Sequence, residues 1–212
     1  MKLEDFKKII PKIEKNEVKG LDVQKELAPK NRINELKTSN KEFVRNASVM
    51  ALVYPKQEIM HLALILRTQY DGKHSGQVAL PGGKQELTDD NHWGTAIREV
   101  EEEIGISHSE FKLLKELSCL YVPVSNFKVH PYLAMSNKEL IFKLQESEVA
   151  DLIEMPLDYF IFKSNIEHTN VKTSKETTIK APAFIYQGHI IWGATAMILN
   201  ELKTLFVDSM EL

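Results

Sequence analysis

Apolar residues recur at two periods along this chain, and the points where the period changes mark out its elements. Leu3, Phe6, Ile9, Ile10 and Ile13 fall mostly three and four positions apart, which predicts an amphipathic helix over residues 2–17 despite Pro11. Residues 18–44 are polar, contain Gly20 and Pro29, and read as an irregular connection. From residue 46 the pattern changes to apolar runs of strand length. Residues 48–54 and 61–67, separated by a short turn after Pro55, read as a hairpin. A polar loop from Thr68 to Gln77 leads through Val78, Ala79 and Leu80 to the turn signal Pro81-Gly82-Gly83. Between Asn91 and Ile104 the residues Ala96, Val100 and Ile104 lie on one helical stripe, which Gly105 ends. Strand-like stretches follow near 112–122, 128–134 and 150–155, and a short helix is expected from Pro156. Residues 183–186 and 189–192 flank the turn Gln187-Gly188, and a helix from Ala194 to Leu205 closes the chain. Strands in the middle with helices around them predict a mixed α/β sandwich.

Composition narrows the class without naming an activity. The 212 residues are 43% apolar and 27% charged, enough for a sizeable core. A net charge of −3 is too mild to argue for nucleic acid or a membrane surface as partner. Residues 1–44 hold 11 Lys and Arg against 8 Asp and Glu, so the rest of the chain is net negative. That body would repel an anionic substrate unless cations or local basic residues intervened. No segment approaches the ~20 apolar residues of a membrane span, and the first residues lack the apolar run of a signal peptide. A cytoplasmic protein is expected. Cys119 is the single cysteine, so no internal disulfide forms; strand alternation with Leu117 and Tyr121 predicts a buried core thiol. Trp93 and Trp192 read as packing residues.

The helix at 91–104 carries the chemistry. Glu99, Glu101, Glu102 and Glu103 crowd five positions. At about 100° per residue, Glu103 lies about 40° from Glu99, and Glu102 about 60° to its other side. These three share one face while Glu101 points nearly opposite. Like charges at this spacing cost roughly 0.2–0.5 kcal/mol per pair, and carboxylates in a last turn oppose the helix dipole. Arg98 offsets part of that. A divalent cation would make the arrangement favourable, because Mg²⁺ takes carboxylate oxygens and fills its shell with water and substrate phosphate. Taken alone, a solvated acidic face accounts for the run as well.

The flanks separate those readings. Gly83-x5-Asp89-x8-Arg98-Glu99-Val100-x-Glu102-Glu103-x-Gly105-Ile106 resembles the Nudix box, G-x5-E-x7-R-E-U-x-E-E-x-G-U, with U a bulky aliphatic residue. The second half matches at every fixed position. The first half has Asp89 in place of glutamate and one extra residue before Arg98. The resemblance implies an α/β/α Nudix sandwich with a mixed central sheet, and the helix read from the spacing over residues 2–17 would be an N-terminal extension to it. Residues 1–44 would be that helix and its connection, and residues 45–212 the Nudix hydrolase domain. It also implies hydrolysis of a nucleoside diphosphate linked to another moiety, with Mg²⁺ or Mn²⁺. By position, Glu99 and Glu103 would be metal ligands and Glu102 a ligand or close neighbour. Arg98 would pair with these carboxylates and fix their rotamers. Asp89 is shorter than the residue it replaces, which leaves its role open. Gly82 and Gly83 would let the backbone turn tightly beside the metal.

Residues ahead of the box narrow the branch. Leu66-Arg67, followed by His74-Ser75-Gly76-Gln77-Val78-Ala79-Leu80-Pro81-Gly82-Gly83, resembles the signature of coenzyme A pyrophosphatases. That signature reads roughly L-L-T-x-R-S, then R-x-H-x-G-Q-V-A-F-P-G-G. Gly72 stands where the second arginine is usual, with Lys73 beside it; Leu80 replaces Phe, and Ile65 occupies a Thr position. The extra residue inside the box is shared with that branch. Further matches at 148–150, 155–157 and 191–199 extend the resemblance over residues 45–205. It implies a small-molecule substrate of the coenzyme A type and makes a homodimer reasonable, with no nucleic-acid or membrane partner. Arg67, His74, Gln77, Gly82 and Gly83 are the substrate-binding candidates. Lys73 and Lys84 offer point charges where arginine would give a bidentate contact, and they read equally as solvated loop residues. The general base could be Glu148, outside the box, or Glu102 acting through one water. The alternatives are a Nudix hydrolase for ADP-ribose or a dinucleoside polyphosphate, and a non-catalytic nucleotide-binding module on the same fold.

Overall fold

The strand β1 (Arg45–Lys56) organises the molecule because both of its faces are covered. Met50, Leu52 and Tyr54 enter one core, Ala51 and Val53 the other, and all five are fully buried. A strand buried on two faces reads as a continuous apolar run, and the sequence between 47 and 55 has that form. The computed structural model describes residues 1–29, 44–69, 74–173 and 177–210.

On one side β1 runs parallel to β7 (Phe127–Met135), with Arg45 opposite Phe127 and Val53 opposite Met135. Its other side is shared. The first half pairs with β4 (Gly82–Lys84), placing Val49 opposite Gly82, and the second half pairs with β2 (Ile59–Arg67), both antiparallel. The sheet continues beyond β2 through β3 (Val78–Ala79) and β8 (Val149–Pro156), and beyond β7 through β5 (Lys112–Glu116) and β6 (Leu120–Val122). Helix α3 (His92–Ile104) covers one face through Ala96, Val100 and Ile104. Helices α1 (Leu3–Lys15) and α4 (Gly193–Met210) cover the other, where Phe6 meets Phe206 edge to face at 5.8 Å. A second antiparallel sheet of β9 (Ile166–Lys172), β10 (Thr178–Tyr186) and β11 (His189–Trp192) adds Phe184 and Ile191 to the α4-side core. The result is the mixed α/β sandwich the periodicities predict, with helices on both faces of the sheet in the α/β/α form that the resemblance implies. Among the described residues no helix is long and apolar enough to cross a membrane.

The departures have local causes. The expected irregular connection contains a short helix α2 (Leu21–Gln24) and a 3₁₀ turn at Lys25–Leu27. They are ordered by Glu201 of α4, only 1% exposed, which accepts from the Gly20 and Ser118 backbone N–H groups at 2.6 and 3.1 Å and from Gln24 Nε2 at 3.1 Å. The expected strand at 112–122 breaks between β5 and β6. The break overturns the buried placement of Cys119, because alternation does not carry through 117–119 and the residue is exposed. Its sulfur lies 3.2 Å from Nδ1 of the buried His130, and this partial burial raises the thiol pKa. Beyond Pro156 the helical turn is π-type over Tyr159–Lys163. Strand β9 escapes detection because its residues are mostly polar and exposed, an edge strand with one buried position at Val171. Lys73 and Gly72 lie outside the described residues.

Gly105 ends α3 in the left-handed region at φ 72°, and its N–H donates to Glu101 O at 3.1 Å. A Cβ there would lie 2.8 Å from both Cβ and the carbonyl oxygen of Lys143. Gly105→Ala should destabilise the protein by about 1–3 kcal/mol, read as a lower urea midpoint with an unchanged slope.

Candidate active site

Helix α3 starts at Asn91, whose side chain accepts from the Gly94 N–H at 2.9 Å. Its last two turns lie against β4. There Glu103, 1% exposed, accepts from the Gly82 N–H at 2.8 Å through one oxygen and from Arg67 at 3.2 Å through the other. Glu99, one turn earlier, packs on Gly83: a Cβ at that position would lie 2.5 Å from its carboxylate. Gly82, at φ 146°, is hemmed in from the other side, where a Cβ would collide with the Ser48 carbonyl oxygen and sit 2.6 Å from Val49 Cα. Both glycines are therefore required by close approach, one to β1 and one to α3.

Arg98 is the hub behind these carboxylates. It meets both oxygens of Asp89 through Nε at 2.9 Å and Nη2 at 3.1 Å, and it also contacts Glu99 at 3.0 Å, Glu102 at 2.8 Å and the Lys84 carbonyl at 3.0 Å. Asp89 faces Arg98, and it also accepts from the Glu86 N–H at 2.8 Å. The Arg98 guanidinium holds the Asp89 carboxyl down at about 2. Glu102 shares the helical face of Glu99 and Glu103, yet its side chain is 58% exposed and turns to Arg98 at the rim.

Glu99 and Glu103 open onto a cleft of about 670 Å³. Arg67, His74, Gln77, Gly82, Gly83, Lys84 and Glu148 also line it; Arg98, Asp89 and Glu102 do not. Arg67 arrives from the end of β2, where the pairing with β8 shifts register. His74 holds a left-handed backbone (φ 66°) and its Nδ1 lies 3.1 Å from Gln77 Oε1, while Gln77 O accepts from the Arg67 N–H at 3.0 Å. Glu148 is delivered by a segment bonded to the C-terminal carbonyls of α3: Lys143 N to Ile104 O and Gln145 N to Glu103 O, each at 3.0 Å. A larger cavity of about 780 Å³ adjoins, sharing Gln77 and Val78, and its lining includes Trp192, His189 and Lys172 but, among the described residues, no carboxylate. The acid chemistry belongs to the first cleft.

Burial dominates the electrostatics. It pushes Glu103 up to about 7, against the Gly82 N–H and Arg67, with help from the negative charges of Glu99 and Glu148. Glu99 is also raised, by burial first, with Arg98 opposing and Glu102 and Glu148 adding. Among the described residues no three His, Cys, Asp or Glu side chains are grouped to hold a metal ion. Glu103, buried, and Glu99, partly buried, are thus a partial set of hard oxygen donors, of the kind Mg²⁺ completes with water and substrate phosphate.

A model of the NUDIX domain matches residues 44–175. The chain belongs to the Nudix hydrolase family. It is 35% identical over 136 residues to an uncharacterized Nudix hydrolase NudL of Pectobacterium atrosepticum, covering 64% of this chain and 70% of that protein. To a NudL of Photorhabdus laumondii it is 31% identical over 158 residues, covering 74% and 83%. The crystal structure of the Nudix hydrolase RenU from M. smegmatis shares the fold at a TM-score of 0.51 and 12% identity, covering 88% of this chain and 96% of that one.

Arg45, Phe127 and Thr195 are among the cleft residues not singled out as site residues from the sequence. Arg45 and Phe127 are brought together by the parallel β1–β7 register, which sequence cannot supply. Thr195, at the start of α4, hydrogen-bonds Val78 O at 3.2 Å and closes the cleft from the other layer.

Two outcomes follow from this geometry. Asp89→Asn should weaken Mn²⁺ binding by about 10- to 100-fold by releasing Arg98, measured by calorimetry. Glu103 binds its proton more tightly folded, at about 7, than at its ordinary 4.5. The metal-free protein should therefore lose stability as pH rises through that window, by at most about 1.4 kcal/mol per pH unit. Glu103→Gln should reduce this dependence in urea unfolding with chelator, the remainder coming from Glu99, which burial also raises.

Proposed function

We propose that the protein hydrolyses the diphosphate bond of coenzyme A or an acyl-coenzyme A, giving 3′,5′-ADP and 4′-phosphopantetheine or its acyl form. Family membership supports a hydrolase of nucleoside diphosphate derivatives. The finer reading rests on one observation: Arg67, His74 and Gln77 of the stretch ahead of the box line the same cleft as Glu99 and Glu103. The adjoining cavity beyond Gln77 gives the cleft a second arm, suited to a substrate that extends on both sides of its diphosphate.

The donor set fits Mg²⁺ or Mn²⁺: one buried and one partly buried carboxylate, both raised by burial, packed beside Gly82 and Gly83. Glu99 and Glu103 would hold the cation, with Glu102 at the rim able to join once free of Arg98. When bound, it neutralises the diphosphate charge and polarises the phosphorus under attack. Arg67 and Lys84 give cationic contacts to the phosphate oxygens, and His74 and Gln77 orient the ester side by hydrogen bonds. Glu148 faces the cleft from the sewn segment 143–149, and its charge is felt by both Glu99 and Glu103. It is the better placed general base, taking the proton of the attacking water, because Glu102 does not line the cleft.

Incubation with coenzyme A and Mn²⁺ or Mg²⁺ should yield 3′,5′-ADP by mass spectrometry; its absence at micromolar enzyme would reject the assignment. A larger kcat/KM for ADP-ribose or a dinucleoside polyphosphate would reassign the substrate within the family. Glu103→Gln should stay folded and lose turnover by more than the ~10- to 100-fold that an outer-shell change costs. Glu148→Gln should lower kcat on the order of 100-fold with KM little changed.

A further inference from the structure

At the end of the catalytic cleft remote from Gly82, Arg45 lies over Phe127, its guanidinium carbon 4.2 Å from the ring centroid. One of its terminal nitrogens, Nη2, donates to the Ser125 carbonyl at 2.7 Å. That bond and the ring contact hold the guanidinium at this end of the cleft, and among the described residues its remaining N–H groups have no protein acceptor. Arg45 is exposed and Phe127 partly buried, so both offer a surface to the cleft. The floor between this pair and the glutamates is apolar, formed by Ala47 and Val49 of β1 and Val122 and Val129 of the neighbouring strands. Val49, the partner of Gly82, is four positions along the strand from Arg45, or about 13 Å at ~3.3 Å per residue. A positioned arginine beside an aromatic ring and an apolar floor is the chemistry that takes a phosphorylated nucleoside. The flat base and sugar cover the floor, and a phosphate distinct from the scissile diphosphate meets the fork of N–H groups.

We infer that Arg45, held over Phe127, is a specificity-determining residue that binds the ribose phosphate of the nucleoside half of the substrate. The inference rests on the coenzyme A reading for the position of that phosphate, the ribose 3′-oxygen. It orients the substrate: the nucleoside half lies along β1 toward Arg45, and the other half leaves past Gln77 into the adjoining cavity. Arg45 acts in recognition and touches no reacting atom.

The test compares ligands that differ by that one phosphate. In calorimetry without metal, the full chain should bind 3′,5′-ADP on the order of 10- to 100-fold more tightly than 5′-AMP, and Arg45→Gln should bring the two together. In turnover, the kcat/KM ratio of coenzyme A to dephospho-coenzyme A should fall by the same factor in Arg45→Gln, through KM, with Arg45→Lys between. Equal binding of the two nucleotides by the parent, or an undiminished ratio in Arg45→Gln, would overturn the inference. Discrimination between the nucleotides that Arg45→Gln abolishes, in a protein that does not cleave coenzyme A, would uphold this site and reject the coenzyme A reading alone.

Discussion

Glu103 is a carboxylate that must be kept at a helix–sheet junction almost out of reach of water, and much of the surrounding structure answers to that constraint. Removing a carboxylate from water costs several kcal/mol unless hydrogen bonds or charge replace the lost hydration. Here the replacements are the Gly82 N–H and Arg67. Each needs its own support. Gly82 reaches Glu103 only because β4 lies tight against β1, where a side chain would strike the Ser48 carbonyl. Arg67 reaches it only from the end of β2, where the pairing with β8 shifts. The compensation is incomplete, so the carboxyl still carries a raised pKa. That residual cost is what a bound cation would relieve.

Arg98 performs a second task that the irregular half of the box makes possible. Asp89 is one methylene shorter than glutamate, and the stretch to Arg98 is one residue longer. The longer loop, closed by the Glu86 N–H on Asp89, lets the shorter acid meet Arg98 with both oxygens. A bidentate clamp fixes the plane of the guanidinium as well as its position. The same guanidinium then contacts Glu99 and Glu102, so a departure in the loop is converted into rotamer control of the helix.

The cleft takes its walls from separate parts of the chain. The glutamates come from α3, the floor from β1, β6 and β7, the Gln77 turn from the β2–β3 connection, and Thr195 from α4. Glu148 joins because the α3 carbonyls that lack partners within the helix bond to residues 143–145. One helix therefore places carboxylates on two sides of the cleft, two through its own side chains and one through the segment that caps its end.

Reading the sequence alone determined the helix α3, its glycine stop, the apolar strand at 48–54 and the shared face of Glu99 and Glu103. Each depends on a period within one element or on residues close in the chain. The same rotation angles placed Glu102 with its neighbours, and only packing sent it to the rim, because helical phase gives direction but not the nearest charge. Cys119 was misplaced for a related reason: alternation holds only while a strand continues, and pairing with β7 lapses at 117–119. Arg45 and Phe127, 82 positions apart in the chain, meet through the parallel register of β1 with β7. Register is set by which faces bury together across the whole sheet. The chemistry of the carboxylates was therefore local and legible, whereas the shape of the cleft, and which charges face it, was decided by tertiary contacts between elements whose spacing no sequence pattern records.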